Sequence, residues 1–162
     1  SKQASKHAPK GPGVLSPWSE RGCRRYRRRV LRGRCACRAV VFAVADEFLA
    51  AFNCHCSTCR AMTGSAFLPW GEIERGKLRV AEGADALLVV GDASASHEVR
   101  CPACLSLLYW RPSSGDRVRV PYGTLADAPS LRPAAHLFVG SKAPWYEITD
   151  ELPQHRERPE PA

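Results

Sequence analysis

Cys54-His55-Cys56-Ser57-Thr58-Cys59 packs three thiols into six residues, and two further pairs flank it, Cys35-Ala36-Cys37 and Cys101-Pro102-Ala103-Cys104. Seven of the eight cysteines in the 162-residue chain lie in these clusters. Thiols two or three residues apart reach one metal ion more readily than they bridge each other. Seven divides into four and three. That division predicts one closed tetrahedral site and one site with a vacant position, the first suited to holding a fold and the second to chemistry.

Zinc–sulfur bonds are about 2.3 Å, so three thiolates must converge within a few ångströms. The C-x-C step joins Cys54 and Cys56, and the x-x-C step returns Cys59 to the same point. His55 lies between two ligands, so on extended backbone its side chain points the other way, to the surface or behind the site. The triad has two readings. It is an open zinc site taking an exogenous thiol or water, or a structural site with a fourth ligand from His97, His136 or Cys23. Cys35, Cys37, Cys101 and Cys104 make the second zinc site, a Cys₄ centre pinning distant strands. Cys101-Pro102-Ala103-Cys104 also has a redox reading, which requires a helix to follow it.

Outside the cysteines the pattern is β. Short apolar or β-branched runs predict strands at 39–44, 48–54, 77–80, 87–90, 97–100, 105–110, 117–121, 135–139 and 145–148, with a helical turn over Thr58–Met62. The expected class is mainly β: a small zinc-stabilised sheet domain over 30–150 with short helical turns. A disordered basic arm over 1–29 precedes it, and a frayed tail over 151–162 follows.

Charge separates the arm from the domain. Residues 1–34 hold 11 Lys and Arg against one acid, whereas residues 35–162 hold 13 against 15. The arm reads as a solvated tail, a polyanion-binding segment or an Arg-rich targeting segment. No apolar run approaches the roughly 18–20 residues that span a bilayer. No secretory h-region precedes residue 30, so the expected compartment is reducing and cytoplasmic, with no membrane partner.

Further residues carry secondary expectations. Arg60, beside the triad, either holds a substrate carboxylate or ends the turn as a solvated charge. Gly64 and Ser65 form a loop whose N–H groups could face substrate. Phe67, Trp70 and Trp145 read as core, and His136 as a satisfied core histidine.

Arg32-Gly33-Arg34-Cys35-x-Cys37, Cys54-His55-Cys56-Ser57-x-Cys59-Arg60, Gly64, Cys101-x-x-Cys104, Tyr122-Gly123-Thr124-Leu125-Ala126-Asp127, and His136-Leu137-Phe138-Val139 with Trp145 follow in order. This order resembles the glutathione-dependent formaldehyde-activating enzyme family, which also includes centromere protein V. The resemblance implies two zinc ions per chain, one structural on Cys35, Cys37, Cys101 and Cys104 and one catalytic on Cys54, Cys56 and Cys59. It implies a carbon–sulfur lyase joining glutathione, or a similar small thiol, to formaldehyde or another small aldehyde. The alternative is a non-enzymatic zinc-stabilised interaction module whose basic arm binds nucleic acid. The family often has glycine where this chain has Arg38 and Leu105, and both residues are expected in ordinary β conformation.

Overall fold

The structure, a computed structural model, describes residues 29–159. The arm expected before Arg29 lies outside the described residues, and Cys23 with it. Arg29 itself is tied to the body, donating to Asp46 Oδ2 at 3.2 Å and to the Ala128 carbonyl at 2.9 Å.

Two sheets form. One is antiparallel in the order β1 (Val30–Arg34), β2 (Val41–Ala45), β5 (Leu78–Glu82). The other runs β10 (His136–Leu137), β3 (Ala50–Cys54), β4 (Leu68–Glu74), β9 (Arg117–Pro121), β8 (Leu107–Arg111), β7 (His97–Arg100), β6 (Leu88–Gly91). Its pairs are antiparallel except β10 with β3, which is parallel. The fold is mainly β, with one short α-helix, α1 (Ser57–Thr63), among the described residues.

Alternation along the strands explains the layering. Leu31, Phe42 and Val44 of the small sheet are buried with Ile73, Leu108, Val118 and Val120 of the large one. Each such side chain contributes about 1.5–3 kcal/mol by leaving water. Gly33 in β1 lies so close to Phe42 that an added Cβ would fall 2.1 Å from the ring, so a larger residue would force this layer apart. The other face of the large sheet carries Phe52, Cys54, Leu68 and Trp70, and packs with Cys59 and Leu137.

A bulge in β8 serves both layers. Val99 pairs with Tyr109 and Arg100 with Leu107, so Leu108 is the extra residue. The phase reverses there, sending Leu107 to the triad side and Leu108 to the inter-sheet core.

Several expectations need correction. β4 was not anticipated: Leu68-Pro69-Trp70-Gly71-Glu72-Ile73-Glu74 contains the residues that usually interrupt strands. Trp145–Ile148 is not a strand: Trp145 lies in a turn closed by Tyr146 N–H donating to the Ala143 carbonyl, and no regular structure follows it to Ile148. Trp145 is 71% exposed and so is not core. The tail is not frayed from residue 151. His136 N–H donates to Pro153 O (2.8 Å), His155 N–H to His136 O (2.8 Å), and Val139 N–H to His155 O (3.0 Å).

Candidate metal centres

The sulfurs of Cys35, Cys37, Cys101 and Cys104 all lie within 4.8 Å of one another. Cys35–Cys37 is 3.5 Å and Cys37–Cys101 is 3.7 Å. A tetrahedral zinc with bonds of about 2.3 Å needs sulfur separations of about 3.8 Å, so the donor set fits.

Each pair sits on a tight knuckle. Arg38 N–H donates to Cys35 O (3.2 Å) and Leu105 N–H to Cys101 O (3.0 Å). Both residues adopt left-handed backbone, at φ 66° and φ 59°. The expectation of ordinary β conformation there is wrong, because the chain must reverse within one residue to close the knuckle. Ser106 joins the two knuckles: its oxygen accepts from Ala36 N–H (3.0 Å) and lies 3.2 Å from Cys104 Sγ. That hydroxyl, then the backbone N–H groups of Cys37 and Ser106, pull Cys104 down to about 5. The segment after Cys104 leads into β8, not into a helix, and both thiols belong to the four-sulfur group. The redox reading is therefore overturned.

Cys54 at the end of β3, Cys56 and Cys59 form the second group, their sulfurs also within 4.8 Å. Cys56 is the N-cap of α1, its sulfur accepting from Cys59 N–H at 3.3 Å. Gly64 ends the helix at φ 66° and donates to Arg60 O, so its N–H is a cap and does not face a substrate. Trp70 Nε1 donates to Cys59 Sγ at 3.4 Å. Hydrogen bonding from Cys54, opposed by burial and helped by Trp70 and Cys56, pushes Cys59 down to about 6. The same bond with Cys59, and then burial, raises Cys54. One thiolate is thus favoured before any ion arrives.

Among the described residues no His, Asp or Glu joins either group. His97 directs Nδ1 to the Ala95 carbonyl at 2.9 Å. His136 is turned to other partners. Its Nε2–H donates to Asp150 at 3.0 Å and 3.1 Å, and its Nδ1 accepts from His55 Nε2 at 2.7 Å. His55 is fully buried rather than at the surface. Burial, then its neighbours His136, Lys142 and Arg60, push it down to about 4, so it is neutral at pH 7. The His55–His136–Asp150 chain anchors the backbone between Cys54 and Cys56 from behind. Asp150 carried no sequence signal, since it lies 14 residues from His136.

Arg60 is half-buried on α1, and its Nε has no hydrogen-bond partner among the described residues. Phe67 is half-buried, its ring 5.2 Å from His55 and 5.5 Å from Tyr146. Among the described residues no helix is long and apolar enough to cross a membrane.

Comparison with known proteins agrees with this architecture. A crystal structure of a Rhodobacter sphaeroides protein is similar in fold, with a TM-score of 0.50 at 24% identity, covering 62% of this chain and 92% of that one. No curated protein sequence matches. The family model described as glutathione-dependent formaldehyde-activating enzyme matches residues 30–141. That span is well over half of the chain and includes all seven clustered cysteines, so the chain belongs to the glutathione-dependent formaldehyde-activating enzyme family.

Proposed function

We propose that this protein is a zinc-dependent carbon–sulfur lyase that forms and cleaves a thiol–aldehyde adduct, with S-hydroxymethylglutathione as the reference case. One observation carries the reading. Three sulfurs of a formaldehyde-activating family member converge on one point, with no fourth protein ligand among the described residues. Cys35, Cys37, Cys101 and Cys104 would hold a structural zinc, and Cys54, Cys56 and Cys59 a catalytic one. When bound there, zinc supplies Lewis acidity and lowers the pKa of a thiol at the vacant position.

The chain's own residues do the rest. In the forward direction the substrate sulfur bonds to the carbonyl carbon, and the thiol proton ends on the carbonyl oxygen. Trp70 keeps Cys59 oriented through its indole N–H. The buried His55–His136 pair fixes the turn that presents Cys54 and Cys56. Arg60, half-buried on α1 beside the triad, would hold a carboxylate of the thiol. Joining two reactants at one site converts a bimolecular step into a nearly unimolecular one. All seven described cysteines are free thiols, which suits a reducing, cytoplasmic setting.

The domain 30–150 would be the catalytic unit. The alternative interaction module draws on an arm outside the described residues, and no observation within them favours it. Exchange of labelled formaldehyde with glutathione, followed by NMR, tests the lyase reading. The protein should accelerate exchange over the spontaneous rate, and Cys56→Ser should return it to that rate. Undiminished exchange in Cys56→Ser sinks the assignment.

A further inference from the structure

The face of the large sheet that carries the triad continues into a cationic stack. Cys54 pairs with Leu68 and Phe52 with Trp70, while Glu72 in β4 pairs with Arg119 in β9. Arg119 in turn pairs with Trp110 of β8. These side chains share one face. The Arg119 guanidinium lies 4.8 Å from the Trp110 ring centre and 5.6 Å from that of Phe52. Arg158 lies 5.6 Å from the centre of the same Phe52 ring. Guanidinium and aromatic groups therefore alternate.

Glu72, only 5% exposed, organises the cations. Its Oε1 accepts from Arg117 (2.9 Å), and its Oε2 from Arg119 (3.1 Å) and Arg158 (3.2 Å). Among the described residues these three arginines have no second carboxylate partner. Three guanidiniums on one carboxylate leave two positive charges, and most of the fork-shaped N–H donors, unspent. Arg117 and Arg158 are 59% and 43% exposed, so a solute reaches them. A purely structural ion pair would not need the surplus.

We propose that Arg117, Arg119 and Arg158 form a carboxylate-binding subsite for the acidic end of the thiol substrate. The spacing suits this. Trp70 touches Cys59, and Glu72 is two residues further along β4, about 7 Å. In an extended tripeptide thiol the central sulfur and a terminal carboxylate lie about 7 Å apart. A thiol of tripeptide size with a terminal carboxylate spans the gap, whereas a small neutral thiol leaves the subsite empty.

The inference rests on the lyase reading for the direction of the sulfur, and the experiment separates the two. S-methylglutathione keeps both carboxylates but cannot become a thiolate. Its binding to the zinc-loaded protein is measured by titration calorimetry, alongside formaldehyde exchange with glutathione. The wild type should bind it. Arg117→Gln/Arg158→Gln should bind it at least about tenfold more weakly at equal zinc content, titrated well below its melting temperature, which the loss of two Glu72 partners lowers. Arg117→Gln alone, at an exposed position, provides the same comparison if the double variant is unstable, with a smaller loss expected. Glutathione diethyl ester should be insensitive to either change. No binding by the wild type, or equal binding by the variants, overturns the subsite. Binding that is lost in the variants while the wild type shows no exchange supports the subsite and removes the lyase reading.

Discussion

Arg38 and Leu105 stand in the same left-handed backbone state, at φ 66° and φ 59°, each directly after the last cysteine of its knuckle. Non-glycine residues meet a Cβ clash in that region worth about 1–2 kcal/mol, which glycine escapes at some entropic cost. Arg38→Gly and Leu105→Gly should each stabilise the metal-loaded protein by about 0.5–1 kcal/mol. Leu105 is 55% exposed, so little packing is lost. Denaturant titration checks this, and a lower midpoint for both variants would show that the side chains hold the knuckles in another way.

Ser106 connects the two knuckles through its hydroxyl. Ser106→Ala leaves Ala36 N–H without this acceptor and Cys104 without its nearest hydroxyl. The cost should be about 1–2 kcal/mol. Loss of a metal loaded at the four-sulfur site to a competing chelator should be faster than in wild type, while occupancy of the triad stays unchanged. Equal chelator kinetics at both sites would remove the role given to Ser106.

Glu72 gives a pH signature. Burial alone would raise its pKa, but hydrogen bonds from Arg117 and Arg119, the charge of Arg119 and the Arg158 contact hold it below the usual carboxylate range. A carboxyl depressed in the folded state stabilises the fold above its unfolded pKa, roughly 4.3. That contribution fades as pH falls through the lower folded value. Glu72→Gln should therefore be less stable than wild type at pH 7 by about 2–3 kcal/mol. The gap should close progressively below about pH 4. A gap that is constant from pH 7 to pH 3 would contradict the ion-pair account.

The buried histidine pair predicts a cost of a different kind. His136→Phe strips His55 Nε2 of its partner, and His55 Nδ1 already has none among the described residues. Leaving another buried polar atom unsatisfied should cost about 1–3 kcal/mol. It should also loosen the turn bearing Cys54 and Cys56, so the triad metal dissociates faster while the four-sulfur metal does not. Chelator competition on the two sites reads this directly.

The metal ligands were legible because their spacing is local: all seven lie within three short windows. Strands rich in Val, Leu and Phe, such as β2 and β8, were legible for the same reason. β4 was not, because Pro69 and Gly71 weaken its local signal while pairing on both sides stabilises it. Long-range polar partners were hidden too. His55 meets His136 across 81 residues, and Glu72 meets Arg119 across 47. At Arg38 and Leu105, residue type argued for β backbone, and the closure of the sulfur knuckle overrode it.

The division of seven cysteines into four and three is the central claim, and zinc content per chain measures it most directly. Elemental analysis of the purified wild type should give two zinc ions. Cys56→Ser should give one zinc with the fold intact, and Cys101→Ser should fail to fold, since structural zinc supplies about 10–16 kcal/mol in small domains. One zinc in the wild type, or two retained in Cys56→Ser, would contradict it.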